Sequence, residues 1–289
     1  MPGSETPVIG HLLNTARYPL TTPGSAEWQR TVFHARERLH DDGCSVLPDF
    51  ITPALVESAQ REGAAIAPFA HYDLETVNAY NIALDTPLPA GHPGLIRMQR
   101  GNAFVPRDQI PPDAVIHRLY TNPLFQRFIA DCLELPRVHE LADPLAGLCL
   151  NVVLPGESHP WYFDTNEFTV TLLTQAPEGG GTFEYCPGIR SAQSENLDDV
   201  LAVLTGAGTH LIRRFTLRPG DLQLFRGRHA LHRVSPVRGS VARHTAILAY
   251  TERPGVVGSV ERTRQLFGRV LPEHRAAAGR AVRVDQLLD

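Results

Sequence analysis

The sequence predicts an α+β protein that is mainly β. An antiparallel sandwich or barrel fills the C-terminal half, and N-terminal helices pack on its sheet. Three observations carry this reading. From residue 143 onward, short β-branched and aromatic runs alternate with PG, GGG, RPG and RG turns. Before that point, apolar residues recur at helical spacing. The chain has 289 residues and is 43% apolar and 20% charged, which is enough to bury a full-sized core.

Residues 1–24 are rich in Pro, Thr and Gly and read as an extended N-terminal arm. Ser25 then caps a helix to about Leu39, with Trp28, Val32, Ala35 and Leu39 on one face. An Asp41-Asp42-Gly43 turn leads into a strand, Cys44 to Leu47. Thr52-Pro53 opens a second helix, reaching about Ile66, with proline at the first helical position. Residues 68–112 have no clear periodicity and read as functional loops, a lid. Helices follow near Asp113–Tyr120 and Pro123–Leu133. Strands are expected at Gly147–Leu154, Glu167–Gln175, Gly181–Tyr185, Thr209–Leu217, Asp221–Phe225, His232–Val234 and Arg243–Tyr250, then a helix at Val260–Leu271. The expected organisation is one domain over 25–289: a helical and lid region (25–142), a β core (143–252) and a C-terminal helical region (253–289).

Composition excludes several functions. The net charge of −4 offers no electrostatic footprint for nucleic acid. All 27 basic residues are arginine, which removes Schiff-base lysines and the P-loop lysine together. Cys44, Cys132, Cys149 and Cys186 are widely spaced, and three of them sit in apolar runs, so they read as buried reduced thiols. No signal segment opens the chain and no run of about 18 apolar residues occurs. A cytoplasmic protein with no membrane or nucleic-acid partner is expected; a homodimer is left open.

The chemistry concentrates in S-H-P-W-Y-F-D-T-N-E-F (158–168), then GGGTFEY (179–185), RPGDLQLFRGRHALHRVSPV (218–237) and Arg243-His244-Thr245. In this order the motifs resemble the iron(II)/2-oxoglutarate dioxygenase superfamily, in the branch that acts on free amino acids and includes hydroxylases and halogenases. The resemblance is close from Asp143 to about Gly268 and loose over the helical part. It implies a double-stranded β-helix of the jelly-roll or cupin type. It also implies Fe(II), 2-oxoglutarate and O2, and a small amino-acid-like substrate oxidised within a biosynthetic pathway by hydroxylation, desaturation or cyclisation. Asp164 and His232 take the ligand positions, since His232 begins H-R-V where the pattern has its late histidine; His229 reads as a loop residue. Arg243, eleven residues on, with Thr245, matches the clamp on the oxoglutarate carboxylate, and Asn151 is placed beside it. Halogenases of this branch carry a small residue at the Asp164 position, which disfavours chlorination. His159, Thr165 and Arg97 (or Arg100) are candidates for substrate contact.

The chain departs from the pattern at Tyr162, where the first histidine ligand belongs. Residues 162 and 164 share one strand face, so both reach one metal. Four readings stand open: a phenolate ligand, a spacer with water as third ligand, His159 swinging in, or a metal-free site. Against His159 stands its expected place on the opposite strand face from Asp164. Alternative functions are a 2-oxoglutarate-independent iron oxidase with a tyrosinate ligand and a non-catalytic binding protein on the same fold.

Overall fold

The computed structural model describes residues 9–279 and 287–288. Its elements run α1 (Ala26–Asp42), β1 (Cys44–Leu47), α2 (Pro53–Ile66), β2 (His71–Val77), β3 (Met98–Val105), α3 (Val115–Tyr120), α4 (Pro123–Cys132), β4 (His139–Glu140), β5 (Leu148–Val153), β6 (His159–Tyr162) and β7 (Thr169–Gln175). The chain continues through β8 (Gly179–Gly180), β9 (Phe183–Cys186), α5 (Leu197–Thr205), β10 (Arg213–Phe215), β11 (Leu222–Phe225), β12 (Leu231–Val234), β13 (Val237–Arg238), β14 (Arg243–Leu248), β15 (Tyr250–Thr251), α6 (Val260–Phe267) and α7 (Pro272–Ala277).

Two antiparallel sheets dominate. The larger has seven strands in the order β1-β11-β7-β14-β5-β3-β2, and the smaller has four, β10-β9-β12-β6. Alternation along the large sheet divides its two faces. Leu148, Leu150 and Val152 of β5, Val170 and Leu172 of β7, and Leu222 and Leu224 of β11 join the main core. There they meet Trp28 and Val32 of α1 and Phe125, Phe128 and Ile129 of α4. Each fully buried side chain of this kind contributes about 1.5–3 kcal/mol. The interleaved residues Cys149, Asn151, Thr171, Gln223 and Thr245 point the other way and line a cavity between the sheets. Period two therefore sorts apolar residues under the helices and polar residues into the interior.

Helix starts follow their caps. Ser25 Oγ accepts from the Trp28 N–H, Thr52 Oγ1 from Leu55, and Asn122 Oδ1 from Leu124 and Phe125. The end of α6 corrects the expected Val260–Leu271 helix. Gly268 takes φ +67 as its C-cap, so the helix stops at Phe267 and α7 is a separate piece.

The expected arm, 1–24, is also corrected where it is described. Residues 9–24 run in turns and bury Leu12, Leu13, Tyr18 and Leu20 in the main core, the Tyr18 ring 5.3 Å from that of Phe50, centroid to centroid; residues 1–8 lie outside the described residues. The C-terminal region 253–289 holds two short helices, with residues 280–286 and 289 outside the described residues. The segment read as an irregular lid, 68–112, contains the antiparallel pair β2–β3, which extends the large sheet. Its seven-residue β2 alternates exposed and half-buried positions as the outermost strand, too polar a pattern to read as a strand from apolar periodicity alone. Helix α5 lies between two expected strands and was not anticipated.

The C-terminal segment is tied to the β core by one carboxylate. Asp143 and His274 are both fully buried. Asp143 Oδ1 accepts from the backbone N–H groups of Leu145 (2.8 Å) and Ala146 (2.7 Å). Its Oδ2 accepts from Gly258 N–H (3.0 Å) and His274 Nε2 (3.1 Å). His274 Nδ1 accepts from Leu271 N–H, which leaves the ring proton on Nε2. Asp143→Asn substitutes an amide N–H2 for one acceptor and sets donor against donor. Urea denaturation is expected to register a loss of roughly 3 kcal/mol.

His244, on the helix-facing side of β14, is 4% exposed and its Nδ1 has no hydrogen-bond partner. Burial lowers its pKa below the ordinary value. The unfolded chain thus takes up a proton near pH 6.5 that the folded chain refuses. This contribution to stability is complete above about pH 6.5 and declines as pH falls through that value. His244→Leu should flatten the fall in unfolding free energy between pH 7 and pH 5.5, compared by denaturant titration with the parent chain.

Candidate active site

Strands β6 and β12 pair antiparallel, with His232 opposite Tyr162 and Val234 opposite His159. The register shifts between these two pairs, so Pro160 and Trp161 together face Arg233. This irregularity corrects the expectation that His159 lies on the far face. The extra residue rotates it onto the face of Tyr162, and the two rings stack with centroids 3.8 Å apart at 3°. Tyr162 in turn lies 4.1 Å from the His232 ring, centroid to centroid. The phenol ring is therefore interposed between the two histidines, which keeps His159 from sharing a ligand set with His232.

His232 is 1% exposed. Its Nδ1 lies 2.8 Å from Ala230 O and can bond it only as an N–H donor, so Nε2 is the ring nitrogen left for a metal. Nε2 has no hydrogen-bond partner and lies 3.6 Å from Asp164 Oδ1. Asp164 Oδ2 is engaged by Thr169 Oγ1–H at 2.6 Å, leaving Oδ1 toward the histidine. Burial pushes the Asp164 carboxyl up, but His232, the Thr169 hydroxyl and Arg262 outweigh it and hold the pKa below the ordinary value. Two lone-pair donors 3.6 Å apart suit ligands that each sit about 2.0–2.2 Å from one ion. The pair fits a divalent metal. Among the described residues no group of three or more His, Cys, Asp or Glu is placed to hold one, so any third protein donor is of another kind. Tyr162 lies beside the pair, its ring centroid 4.1 Å from that of His232. Burial first, then Asp164, raise its pKa well above 10 against the pull of Arg262, Arg243 and Arg100, so the phenol is neutral.

Gly227 makes the Asp164 position available. Its carbonyl accepts the Asp164 N–H, and a Cβ at 227 would collide with the Asp164 carboxylate. The R-G-R-H turn, read from sequence as a connection, thus shapes the place of Asp164.

The cavity between the sheets has a volume of about 270 Å³. Tyr162, Asp164, Asn151, His159, Thr165, Arg243 and Thr245 all line it. Arg243 is 4% exposed and bonded to the Thr245 hydroxyl. Among the described residues no carboxylate lies within ion-pair distance of it, and burial lowers its pKa only to about 10, so the cation persists. An unpaired buried guanidinium is costly and marks where an anion belongs. Asn151, opposite Thr245 in the ladder, donates to Ala103 O. His159 Nδ1 meets the Asn102 amide at 3.0 Å; burial and the arginines Arg100, Arg262 and Arg243 hold its pKa well below 6.5, so the ring is neutral.

Other expected positions separate from the site. Arg97 is exposed, precedes β3 and donates to Leu84 O. Arg100, two residues into that strand, is 1% exposed and pairs with Glu75 at 2.7 Å. His229 is paired with Glu167 at 3.6 Å, away from the cavity. Sequence reasoning missed Arg262, which α6 delivers to the cavity from beyond the motif-bearing core. Its signal was a charged residue in the first turn of an amphipathic helix, which by itself reads as solvated.

Gly227→Ala should abolish retention of Mn(II), measured by calorimetric titration, while the circular dichroism spectrum stays that of the parent. Retained affinity would mean that Asp164 holds its place without the space at 227.

Comparison with known proteins follows from this geometry. The family model described as Halogenase D matches residues 96–264, more than half of the chain. No curated protein matches the sequence. Among solved structures, AviO1 from Streptomyces viridochromogenes Tue57 is similar at TM-score 0.52 and 15% identity, over 78% of this chain and 96% of that one. The non-heme alpha ketoglutarate dependent carbocyclase SnoK from nogalamycin biosynthesis is similar at TM-score 0.51 and 12% identity, covering 75% and 82%. A prolyl hydroxylase from Trichoplax adhaerens, in complex with a hypoxia inducible factor peptide fragment, is similar at TM-score 0.50 and 12% identity, covering 78% and 91%. At these identities the likeness is one of fold.

Proposed function

The chain belongs to the Halogenase D family, and from that premise we propose that it is a non-heme iron oxygenase dependent on 2-oxoglutarate and O2. Its β core is read as a double-stranded β-helix within a single domain, residues 25–289. The observation that carries the proposal is Arg243, a buried cation with no carboxylate partner among the described residues, which lines the same cavity as Asp164, the residue 3.6 Å from His232 Nε2. A co-substrate with a carboxylate at one end and a chelating keto acid at the other fits both features at once.

His232 Nε2 and Asp164 Oδ1 hold the metal, the Ala230 carbonyl and Thr169 hydroxyl fixing their orientation. Arg243, with Thr245, receives the distal carboxylate bidentately, and Asn151 stands beside it on the neighbouring strand. Iron, when bound with its co-substrate and O2, supplies the oxidising power to remove hydrogen from a C–H bond of a small amino-acid-like acid. His159 and Thr165 border the space left for that substrate. Asp164 supplies a carboxylate where chlorinating members of the branch carry a small residue, so oxygenation is the reading, in spite of the family's name. Tyr162 occupies the position of the family's first histidine. Its neutral phenol loses its proton only if the metal binds it directly.

Anaerobic titration with Fe(II) and 2-oxoglutarate, followed by succinate measurement in air, tests the reading. Arg243→Ala is expected to weaken 2-oxoglutarate binding by at least about tenfold, as the loss of a charged hydrogen bond does, with Mn(II) affinity unchanged. Tyr162→His is expected to tighten Fe(II) binding. A broad visible band in the ferric protein that Tyr162→Phe removes would identify the phenolate as a ligand. Unchanged 2-oxoglutarate affinity in Arg243→Ala would sink the assignment of the clamp.

A further inference from the structure

A second cavity, of about 870 Å³, adjoins the first and shares Phe163, Thr165, Ser259 and Arg262 with it. Apolar side chains, Val77, Ile82, Leu84 and Phe163, form one part of its wall. The Tyr80 hydroxyl, on a residue 1% exposed, has no hydrogen-bond partner in that wall. Asn78 braces the loop from within, its Oδ1 accepting from the Tyr80 and Ile82 N–H groups and its Nδ2 donating to Ile82 O. Beyond the end of β2 at Val77 this stretch of the wall is thus shaped without a regular element.

Charge is distributed unevenly across the boundary between the two cavities. Three guanidinium groups, those of Arg100, Arg243 and Arg262, act on Tyr162. Arg100 is neutralised by Glu75 at 2.7 Å, and Gln265 occupies the same carboxylate. Arg243 is accounted for by the co-substrate. Arg262 has no such close partner, although Asp164 and Glu75 act on it from beyond ion-pair distance. Its guanidinium donates to the uncharged Gln265 Oε1, and among the described residues no carboxylate is within ion-pair distance of it. Glu261, its neighbour on α6, lines the second cavity but is exposed, and successive helical residues do not face one another. Burial lowers the Arg262 pKa only to about 10, so the charge is present at neutral pH.

We propose that Arg262 is the specificity-determining cation of a substrate chamber: it receives the carboxylate of a small organic acid whose apolar body lies along Val77, Ile82 and Leu84. This rests on the oxygenase reading for the identity of the first cavity, and it adds the residue and the chamber that select the substrate. Planar guanidinium geometry favours a carboxylate over an amide, because the charge-assisted pair is stronger and the cation is otherwise unpaired. The apolar wall sets the preferred chain length.

The test uses four- to six-carbon aliphatic acids and 2-amino acids, each paired with its primary amide, titrated against the Mn(II)-loaded protein with and without 2-oxoglutarate. The parent chain is expected to bind at least one acid about tenfold or more tightly than its amide. Arg262→Gln should abolish that difference and leave the 2-oxoglutarate affinity unchanged, whereas Arg262→Lys should retain an acid preference. A full acid preference in Arg262→Gln overturns the proposal. So does a parent chain that binds none of the acids, or loss of 2-oxoglutarate binding in Arg262→Gln with the fold intact, which would assign Arg262 to the co-substrate. Failure of the parent chain to bind 2-oxoglutarate strikes the oxygenase reading separately, since the acid–amide contrast without 2-oxoglutarate still decides Arg262.

Discussion

The pairing of β6 with β12 is the constraint on which the rest of the site depends. It sets His232 opposite Tyr162, and its irregular register turns His159 onto the same face. One regular residue in place of the irregularity would send His159 to the outer face and leave the phenol ring without its stacking partner. The strand ends at Tyr162, so Asp164 is placed by the loop that follows, through the Gly227 carbonyl and the Thr169 hydroxyl. A ligand pair of this kind is only as well defined as the backbone that holds it.

That backbone is braced from behind by buried arginines. Arg190 lies with its guanidinium carbon 3.8 Å from the centroid of Phe163, the residue between Tyr162 and Asp164. It also donates to Arg228 O, Glu195 and Leu288 O. Arg228 donates to Thr165 O, and Asn81 to Phe163 O. Cation–π contacts of this sort are strengthened by desolvation, and the Phe163 and Thr165 carbonyls held here fix the chain on either side of Asp164. With no lysine in the protein, planar guanidinium groups do all of this work in addition to anion binding.

Electrostatics and packing are coupled through the large sheet. Its outward leucines and valines are covered by α1 and α4, which frees its inward face to carry Asn151, Thr171, Gln223, Arg243 and Thr245. An interior this polar is tolerable because most of these groups are paired: Thr171 with Gln223, Gln223 with Cys44 Sγ, Asn151 with Ala103 O. Around the cavity His232 Nε2 has no hydrogen-bond partner, and among the described residues Arg243 and Arg262 have no carboxylate within ion-pair distance, so a metal and anionic ligands would satisfy them.

The sequence alone determined the mainly β class, the helix on Trp28, Val32, Ala35 and Leu39, and the strand periods that bury Leu148 or Val170 while exposing Asn151 or Thr171 to the interior. The resemblance of its motif order to the iron(II)/2-oxoglutarate dioxygenases also singled out Tyr162, Asp164, His232, Arg243 and Thr245. Only the tertiary structure decided what depends on contacts between distant segments. The face of His159 follows from a register shift against β12, which no local pattern encodes. The choice between Arg97 and Arg100 follows from where β3 begins to pair, and β2 was invisible because an edge strand carries polar residues. Arg262 enters the site from a helix outside the motif-bearing core, and its role is set by which carboxylates other arginines have already taken.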